Sequence, residues 1–228
     1  MDQRTYNQFC ATARTLDIVG ERWTLLLVRE LLTGPKRFGD LQHSLRGLGT
    51  GLLAARLKHL EREGLVRKIV LPAPARTPAY ALTEAGEELG TAVLALARWG
   101  MKWAMGERRE GEVFRAGWAV LAMRACFDPE AAVGMRTVYE FRVSDEVFHA
   151  RIDDGTIETV HGPAQRPDAV IEMDDDVLVE IGAGETTLGD ALKRGAARAF
   201  GDLSALGRLH GLFRLPRPEA RTGGQGAS

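Results

Sequence analysis

Residues 38–82 contain two short helical patterns joined by a tight turn, and a hairpin pattern follows them directly. In the first pattern, apolar residues stand at helical spacing: Phe38, Leu41 and Leu45. The pattern ends at Arg46-Gly47, and Thr50 follows as a candidate cap for a second helix that runs through Arg62. Two short helices joined by a glycine-containing turn predict a helix-turn-helix.

A hairpin pattern follows the second helix. Gly64 ends the helix, residues 66–71 are rich in β-branched side chains, and residues 79–82 form a second short strand pattern after a proline-rich turn. Three basic residues stand near or at its tip: Arg67, Lys68 and Arg76. A basic hairpin in this position predicts a wing that touches DNA phosphates or the minor groove, and the alternative is an ordinary solvated surface.

The second helix has one apolar side and one side of small residues. Three leucines fall on the side expected to face the core: Leu53, Leu57 and Leu60. The opposite side carries Thr50, Gly51, Ala54, Ala55 and Lys58. This surface allows a close approach to a major groove but offers few side chains that read base edges, so specificity is expected to be modest or to rest on Arg56, Lys58 and DNA shape. The candidate DNA contacts are Arg37, Thr50, Gly51, Ala55, Arg56, Lys58, Arg67, Lys68 and Arg76.

Further helical patterns flank this segment. We expect a helix over residues 11–19 that breaks at Gly20, a helix of about three turns over residues 23–31, and a long helix capped by Thr83. Along the long helix, apolar residues recur at steps of three and four: Leu89, Ala92, Leu96, Trp99 and Trp103.

This seam either packs on the protein's own core or forms a dimer contact, and two tryptophans so far along the helix favour the dimer. The candidate dimer residues are Leu89, Leu96, Trp99 and Trp103. A homodimer would present two recognition helices one DNA turn apart and would favour a pseudo-palindromic operator.

Several segments between Cys10 and Trp103 carry a family resemblance. They are Cys10, Gly20–Leu26, Lys36–Leu41, Arg56–Glu61, Gly64–Arg67, Tyr80–Thr83 and Trp99. In these residues the chain resembles the HxlR family of bacterial winged-helix regulators, which are relatives of the MarR group. The resemblance implies a homodimeric regulator that contacts DNA through Arg56, Lys58 and the wing. Gly49 and Gly51 depart from the family pattern, which has a polar residue and often a lysine at the start of the recognition helix.

Cys10 departs from the family pattern as well. The family usually has Pro after this cysteine, whereas Ala11 follows here, and some members use the cysteine as a redox switch. Because the sequence shows neither a cationic cluster nor a second cysteine nearby, we interpret Cys10 as structural, with redox sensing as the alternative.

The charge distribution separates the two halves of the chain. Residues 1–104 hold 15 Lys and Arg against 10 Asp and Glu, a net charge of +5, and residues 105–228 hold 15 against 21, a net charge of −6. A basic half joined to an acidic half is typical of a nucleic-acid-binding domain with a second domain of another kind, and the alternative is ordinary variation between domains. We expect a DNA-binding and dimerisation domain over 1–104, a second domain over 105–215 and a flexible tail over 216–228.

The sequence also predicts a location. No apolar run reaches the length of a membrane span, the N-terminus lacks a signal-peptide pattern, and two cysteines do not make a disulfide framework. A cytoplasmic protein with no membrane partner is expected.

The second half alternates helix and strand patterns. A helical pattern over residues 113–127 precedes strand patterns around 137–143, 148–152, 156–160 and 169–173, two helical segments, a short strand at 197–200 and a final helix. This order resembles the sterol-carrier-protein fold over about residues 113–214. The fold class predicted for the chain is therefore α+β, an N-terminal winged helix-turn-helix domain followed by a sterol-carrier-like domain with an antiparallel-rich sheet.

The sterol-carrier resemblance implies an apolar cavity between sheet and helices that suits a hydrophobic small molecule. The candidate lining residues are Phe114, Trp118, Phe141, Phe148 and Phe200. The alternative is that these aromatic side chains form the core, and residue by residue that alternative is favoured.

Other motifs give no support to a cofactor, a metal or catalysis. Residues 174–176 are three consecutive aspartates, which favour a helix cap over a metal site, and Gly182-Ala183-Gly184 lacks the rest of a nucleotide fingerprint. No enzyme is expected. The leading hypothesis is a DNA-binding regulator modulated by a hydrophobic ligand, and the alternatives are a hydrophobic-ligand carrier that uses the winged helix only for dimerisation, or a Cys10 redox-sensing regulator.

Overall fold

The computed structural model of the chain describes residues 5–105 and 109–216. The chain divides into two compact units, Met1–Val93 and Leu94–Ser228. The division lies within a long helix, whereas the sequence analysis predicts a boundary at the end of that helix. The predicted tail, apart from Pro216, lies outside the described residues.

The first unit follows the predicted order of elements. They are α1 (Ala11–Val19), α2 (Thr24–Leu31), α3 (Phe38–Ser44), α4 (Thr50–Arg62), β1 (Val66–Val70), β2 (Pro78–Leu82) and the long helix α5 (Glu84–Trp103), whose second half belongs to the second unit. The predicted helix-turn-helix and wing are confirmed. Helix α2 is shorter than predicted because Trp23 takes a left-handed backbone, with φ of 79°, immediately before it.

The amphipathic pattern of α4 is confirmed, but its predicted cap is wrong. Leu53, Leu57 and Leu60 are fully buried on one side of the helix. Gly49 holds the extended backbone that precedes the helix, and Thr50 is already its first helical residue. A capping hydroxyl must come from the extended residue before a helix, so the Thr50 side chain does not cap α4.

The wing is an antiparallel pair of strands. β1 pairs with β2 in the register Val66↔Leu82 to Val70↔Pro78. The other side of β2 is also occupied, because Lys36 donates its backbone N–H to the Tyr80 carbonyl at 3.0 Å and accepts from the Tyr80 N–H at 2.8 Å. The segment just before α3 is thereby pinned to the wing by backbone hydrogen bonds.

Helix α5 packs closely onto the rest of the first unit. Thr83 caps it as predicted, because its hydroxyl oxygen accepts from the Gly86 N–H at 3.2 Å. A Cβ atom at Gly86 would lie 2.2 Å from the Leu65 carbonyl oxygen, and one at Gly90 would lie 2.4 Å from a methyl group of Leu32. Only glycine allows this approach of helix to backbone and core.

The second unit is an α+β fold built on one sheet. Its elements after α5 are a short 3-10 helix (Ala116–Trp118), α6 (Ala119–Cys126), a second 3-10 helix (Glu130–Ala132), β3 (Arg136–Val143), β4 (Glu146–Asp153), β5 (Thr156–His161), β6 (Ala169–Met173), α7 (Asp175–Ala183), α8 (Leu188–Lys193), β7 (Ala197–Gly201), α9 (Leu203–Leu209) and a third 3-10 helix (His210–Leu212). The strand order is β5-β4-β3-β6-β7, and every neighbouring pair is antiparallel except β3 with β6. The predicted α+β class and antiparallel-rich sheet are confirmed.

The core of this unit lies on one face of the sheet. Alternate strand residues and facing helix residues share it, among them Val120, Tyr139, Phe141, Phe148, Ile152, Ile171, Ala205 and Leu209. The Tyr139 hydroxyl donates to the Ala205 carbonyl at 2.8 Å, which satisfies the one polar group of that side chain inside the core.

The opposite face of the sheet carries a buried carboxylate. Glu140 is 2% exposed. It accepts from the Arg142 Nε at 2.8 Å and from the Ala164 backbone N–H at 2.8 Å. A buried charge is tolerated when it is paired and hydrogen-bonded, so these contacts account for its position in the fold.

Two expectations for this unit have different outcomes. The helix predicted from residue 113 begins at Ala116 as a 3-10 turn and becomes an α-helix only at Ala119, because the Gly117 N–H donates to the Glu146 carboxylate at 2.7 Å rather than to a helical carbonyl. The aspartate cap is confirmed, since Asp174 accepts from the Val177 N–H at 2.8 Å.

Within residues 5–105 and 109–216, no cluster of His, Cys, Asp and Glu suits a metal ion, and no helix is long and apolar enough to cross a bilayer.

Candidate DNA-binding surface

Helix α4 presents a surface of small residues opposite its buried leucines. Thr50, Gly51, Ala54 and Ala55 are all exposed there. Because their side chains are short, the helix backbone can approach the floor of a groove closely. The same shortness leaves few donors and acceptors for base edges, as the sequence analysis predicted.

Two cations lie on this exposed surface. Lys58 is exposed, and within the described part of the chain it has no ion-pair partner. Arg62, one turn further, has a side chain that is 62% exposed. Its Nη2 lies 2.8 Å from the His59 Nδ1, and its Nε donates to the Glu63 carboxylate at 3.4 Å. Arg62 is not among the DNA contacts predicted from the sequence, where it marks the end of the helix, although positions 55, 58 and 62 follow one another at helical spacing.

Arg56 has a different environment from Lys58. It is three residues after Leu53 and four before Leu60, so it borders the buried side of α4, and its side chain is only 20% exposed. Its Nη2 donates to the Glu21 carboxylate at 2.8 Å. The predicted contact is therefore charge-paired within the protein.

The wing adds further cations beside α4. Arg67 is exposed on β1, and Arg76 is exposed in the turn with a positive φ of 39°. Lys68 donates to the Glu61 carboxylate of α4 at 3.0 Å, and this contact raises the pKa of the Lys68 ammonium. The wing and α4 are thus joined by an ion pair.

The turn between α3 and α4 packs against an aromatic ring. Gly47 has φ of +90°, and a Cβ atom there would lie 3.7 Å from the Trp23 ring. The Arg22 guanidinium lies 5.3 Å from the centroid of the same ring.

Arg37, another predicted DNA contact, is exposed just before α3. Its backbone N–H donates to the Asp40 carboxylate at 3.1 Å.

The predicted dimer residues differ in exposure. Leu96 and Trp99 are each 53% exposed on α5. Leu89 and Trp103 are half-buried, and the Lys102 ammonium lies 4.6 Å from the Trp103 ring centroid. An apolar surface this exposed on a helix suits contact with another molecule.

The predicted ligand residues fall into three environments. Phe141 and Phe148 are buried in the core and stacked with ring centroids 5.2 Å apart, which agrees with the core alternative for these two. Phe114 and Trp118 are half-buried, and Phe114 packs against that core. Phe200 is 51% exposed on the edge strand β7, where it pairs with Val170, so it lies on the sheet face away from the core.

Cys10 lies just before α1 and is exposed. The backbone N–H groups of Ala13 and Thr12 lower the pKa of its thiol. Burial raises the pKa of the Cys126 thiol. The two cysteines are therefore chemically distinct.

Each half of the chain matches a different family model. Residues 18–108 match the model described as HxlR-like helix-turn-helix. Residues 119–219 match the model described as alkyl sulfatase C-terminal. The second match shows that this half is similar to the C-terminal part of alkyl sulfatases, and the sterol-carrier resemblance itself stays a prediction.

The similar proteins agree with the first match. Over 90 residues the chain is 34% identical to the uncharacterized HTH-type transcriptional regulator YvaP of Bacillus subtilis, covering 40% of this chain and 83% of that protein. Over 90 residues it is 40% identical to an uncharacterized HTH-type transcriptional regulator of Mycobacterium tuberculosis, covering 40% of this chain and 56% of that protein. The chain thus spans little more than half the length of the mycobacterial relative.

Two solved structures are each similar to part of the chain. The reduced form of the transcriptional regulator YodB from B. subtilis is 28% identical, with a TM-score of 0.38, and the match covers 44% of this chain and 100% of that one. A double mutant of the sec-alkyl sulfatase PisA1 is 21% identical, with a TM-score of 0.40, and the match covers 44% of this chain and 16% of that one. By the family match and by a 34% identical relative of which it covers 83%, the chain belongs to the HxlR-like helix-turn-helix family.

Proposed function

We propose that this protein is a transcriptional regulator that binds double-stranded DNA through α4 and the wing. The observation that carries the proposal is the two-sided character of α4, whose leucines are buried while Lys58 and Arg62 face outward. The names of the relatives and the family indicate a regulator rather than an enzyme.

The composition of the surface favours phosphate contact over base reading. Lysine and arginine on α4 and the wing supply charge for the backbone of the duplex. Gly51, Ala54 and Ala55 supply no side-chain hydrogen bonds to bases. Binding therefore depends strongly on salt, and sequence preference comes largely from groove shape and deformability.

The protein acts as a homodimer in this proposal. Leu96 and Trp99 form an exposed apolar row on α5, and a second copy would cover it by pairing the same helix. Two copies related by a twofold axis would place two α4 helices on a pseudo-palindromic operator.

The second unit would bind a hydrophobic small molecule that modulates DNA binding. Its separate match to a domain family supports a role of its own, and the half-buried side chains of Phe114 and Trp118 supply apolar surface beside the core.

Redox sensing by Cys10 is a second candidate function. The exposure of this thiol and its lowered pKa favour it, because the thiolate is the reactive form of cysteine.

Replacing Lys58 tests the DNA surface. Lys58→Gln is expected to weaken binding to duplex DNA by roughly five- to tenfold per bound protomer at 0.1 M salt and to reduce the slope of log affinity against log salt by about 0.9 per protomer, the effect of one lost phosphate contact in each. Fluorescence anisotropy over a salt series measures both quantities. Lys193→Gln, which removes an exposed lysine from the second unit, is the matched control and should change neither. Equal effects of the two substitutions would refute the assignment.

Replacing Trp99 tests the dimer. Trp99→Glu is expected to raise the dimer dissociation constant by roughly thirtyfold or more, which corresponds to the ~2 kcal/mol of an interface hot spot. Sedimentation velocity across a concentration series reports it. Thr91→Glu introduces the same charge at an exposed position on the same helix, about 120° from the centre of the apolar row, and should leave the dimer intact. A wild-type protein that stays monomeric at high concentration contradicts the proposal.

Native mass spectrometry tests the ligand. Protein purified without detergent should carry a bound apolar molecule whose loss restores the mass of the chain, and Trp118→Ala should reduce the occupied fraction. Only the mass of the bare chain, both as purified and after incubation with a mixture of fatty acids, is the contrary result.

Thiol chemistry tests Cys10. Alkylation by iodoacetamide should label Cys10 at lower pH than Cys126, because Cys10 is exposed and has a lowered pKa whereas Cys126 is buried and has a raised pKa, and peptide mass spectrometry resolves the two. If Cys10 is a sensor, peroxide lowers DNA affinity in the wild type but not in Cys10→Ser. Identical peroxide responses of the two proteins would exclude the sensor.

A further inference from the structure

Arg56 of α4 forms an ion pair with Glu21. The Arg56 Nη2 lies 2.8 Å from the Glu21 carboxylate, and the two residues are 35 positions apart in the chain. Arg56 is 20% exposed, whereas Glu21 is 50% exposed. Within residues 5–105 and 109–216, the buried Arg56 Nε has no hydrogen-bond partner, and the Glu21 carboxylate is the acceptor that this guanidinium contacts.

The fold holds Glu21 in this position. A Cβ atom at Gly20 would lie 2.5 Å from the Leu16 carbonyl oxygen, so the chain turns tightly at the end of α1. Three residues after Arg56, the His59 Nε2 lies 2.9 Å from the Ile18 carbonyl oxygen. Residues 18–21 therefore lie along the flank of α4 and bring the carboxylate to the guanidinium.

The pair changes what an approaching duplex meets on this flank of α4. An isolated arginine would attract any phosphate and release a counterion on binding it. With Glu21 beside it, the local net charge is zero, and the exposed carboxylate repels phosphates that approach without displacing it.

We propose that Glu21 is a specificity-determining residue of the DNA-binding surface, because it competes with phosphates for Arg56. This inference rests on the proposed DNA binding. A phosphate of random-sequence DNA that lies outside hydrogen-bonding distance of the guanidinium gains little binding energy from Arg56. On an operator whose backbone places a phosphate at the guanidinium in the right geometry, that phosphate can replace the Glu21 carboxylate and form an ion pair with Arg56.

The test is a set of substitutions at the two residues, measured on random-sequence duplex over a salt series. Glu21→Gln is expected to tighten binding about eightfold per bound protomer at 0.1 M salt and to steepen the salt slope by about 0.9 per protomer, as one added phosphate contact in each does. Arg56→Gln should weaken binding, because it leaves the exposed Glu21 carboxylate unpaired, and the double substitution should return binding to near the wild-type value. Glu185→Gln, which removes an exposed carboxylate of the second unit, is the matched control and should have no effect.

Each contrary outcome has a distinct meaning. If the wild type binds DNA and Glu21→Gln binds equally or more weakly with an unchanged melting temperature, Glu21 positions Arg56 rather than competing for it, and the inference is overturned. The same holds if the double substitution binds as tightly as Glu21→Gln alone, because the gain in affinity then does not depend on Arg56. If neither the wild type nor Glu21→Gln binds duplex at low salt, the proposed function itself fails, and this inference fails with it.

Discussion

Burial of Leu53, Leu57 and Leu60 along one side of α4 is the constraint on which the rest of the binding surface depends. A fully buried leucine contributes about 1.5–3 kcal/mol relative to an exposed one, so rotation of the helix about its axis would cost several such contributions. The helix therefore has one stable orientation. That orientation exposes Gly51, Ala55 and Lys58, whose common side is the candidate recognition surface.

Net charge alone describes the DNA-binding surface poorly. Residues 1–104 carry a net charge of +5, yet two of the predicted DNA contacts are paired with carboxylates inside the first unit. Arg56 is paired with Glu21 and Lys68 with Glu61, whereas Lys58 projects from the exposed side of α4. A regulator must bind its operator more tightly than the large excess of other DNA, and partial neutralisation of the cations lowers the sequence-independent part of the affinity.

Much of the fold could be predicted from the sequence because it is encoded locally. Apolar spacing, glycines at helix ends and the proline-rich turn predicted α3, α4 and the wing almost to the residue. The parts that could not be predicted depend on distant partners. Glu21 meets Arg56 from 35 positions away, and Glu146 meets the Gly117 N–H from 29 positions away, which delays the start of α6. The exposed side of Phe200 likewise depends on strand pairing that no local pattern contains.

Amide hydrogen exchange of the full chain, with and without a saturating duplex in low salt, tests the central claim most directly. The account predicts slower exchange on DNA binding in α4 and in the wing turn between Leu71 and Pro78, with β3 to β7 unchanged. Slowed exchange confined to the second unit, or none in α4 despite bound DNA, would contradict it, because the small-residue side of α4 would then not be the surface that meets the duplex.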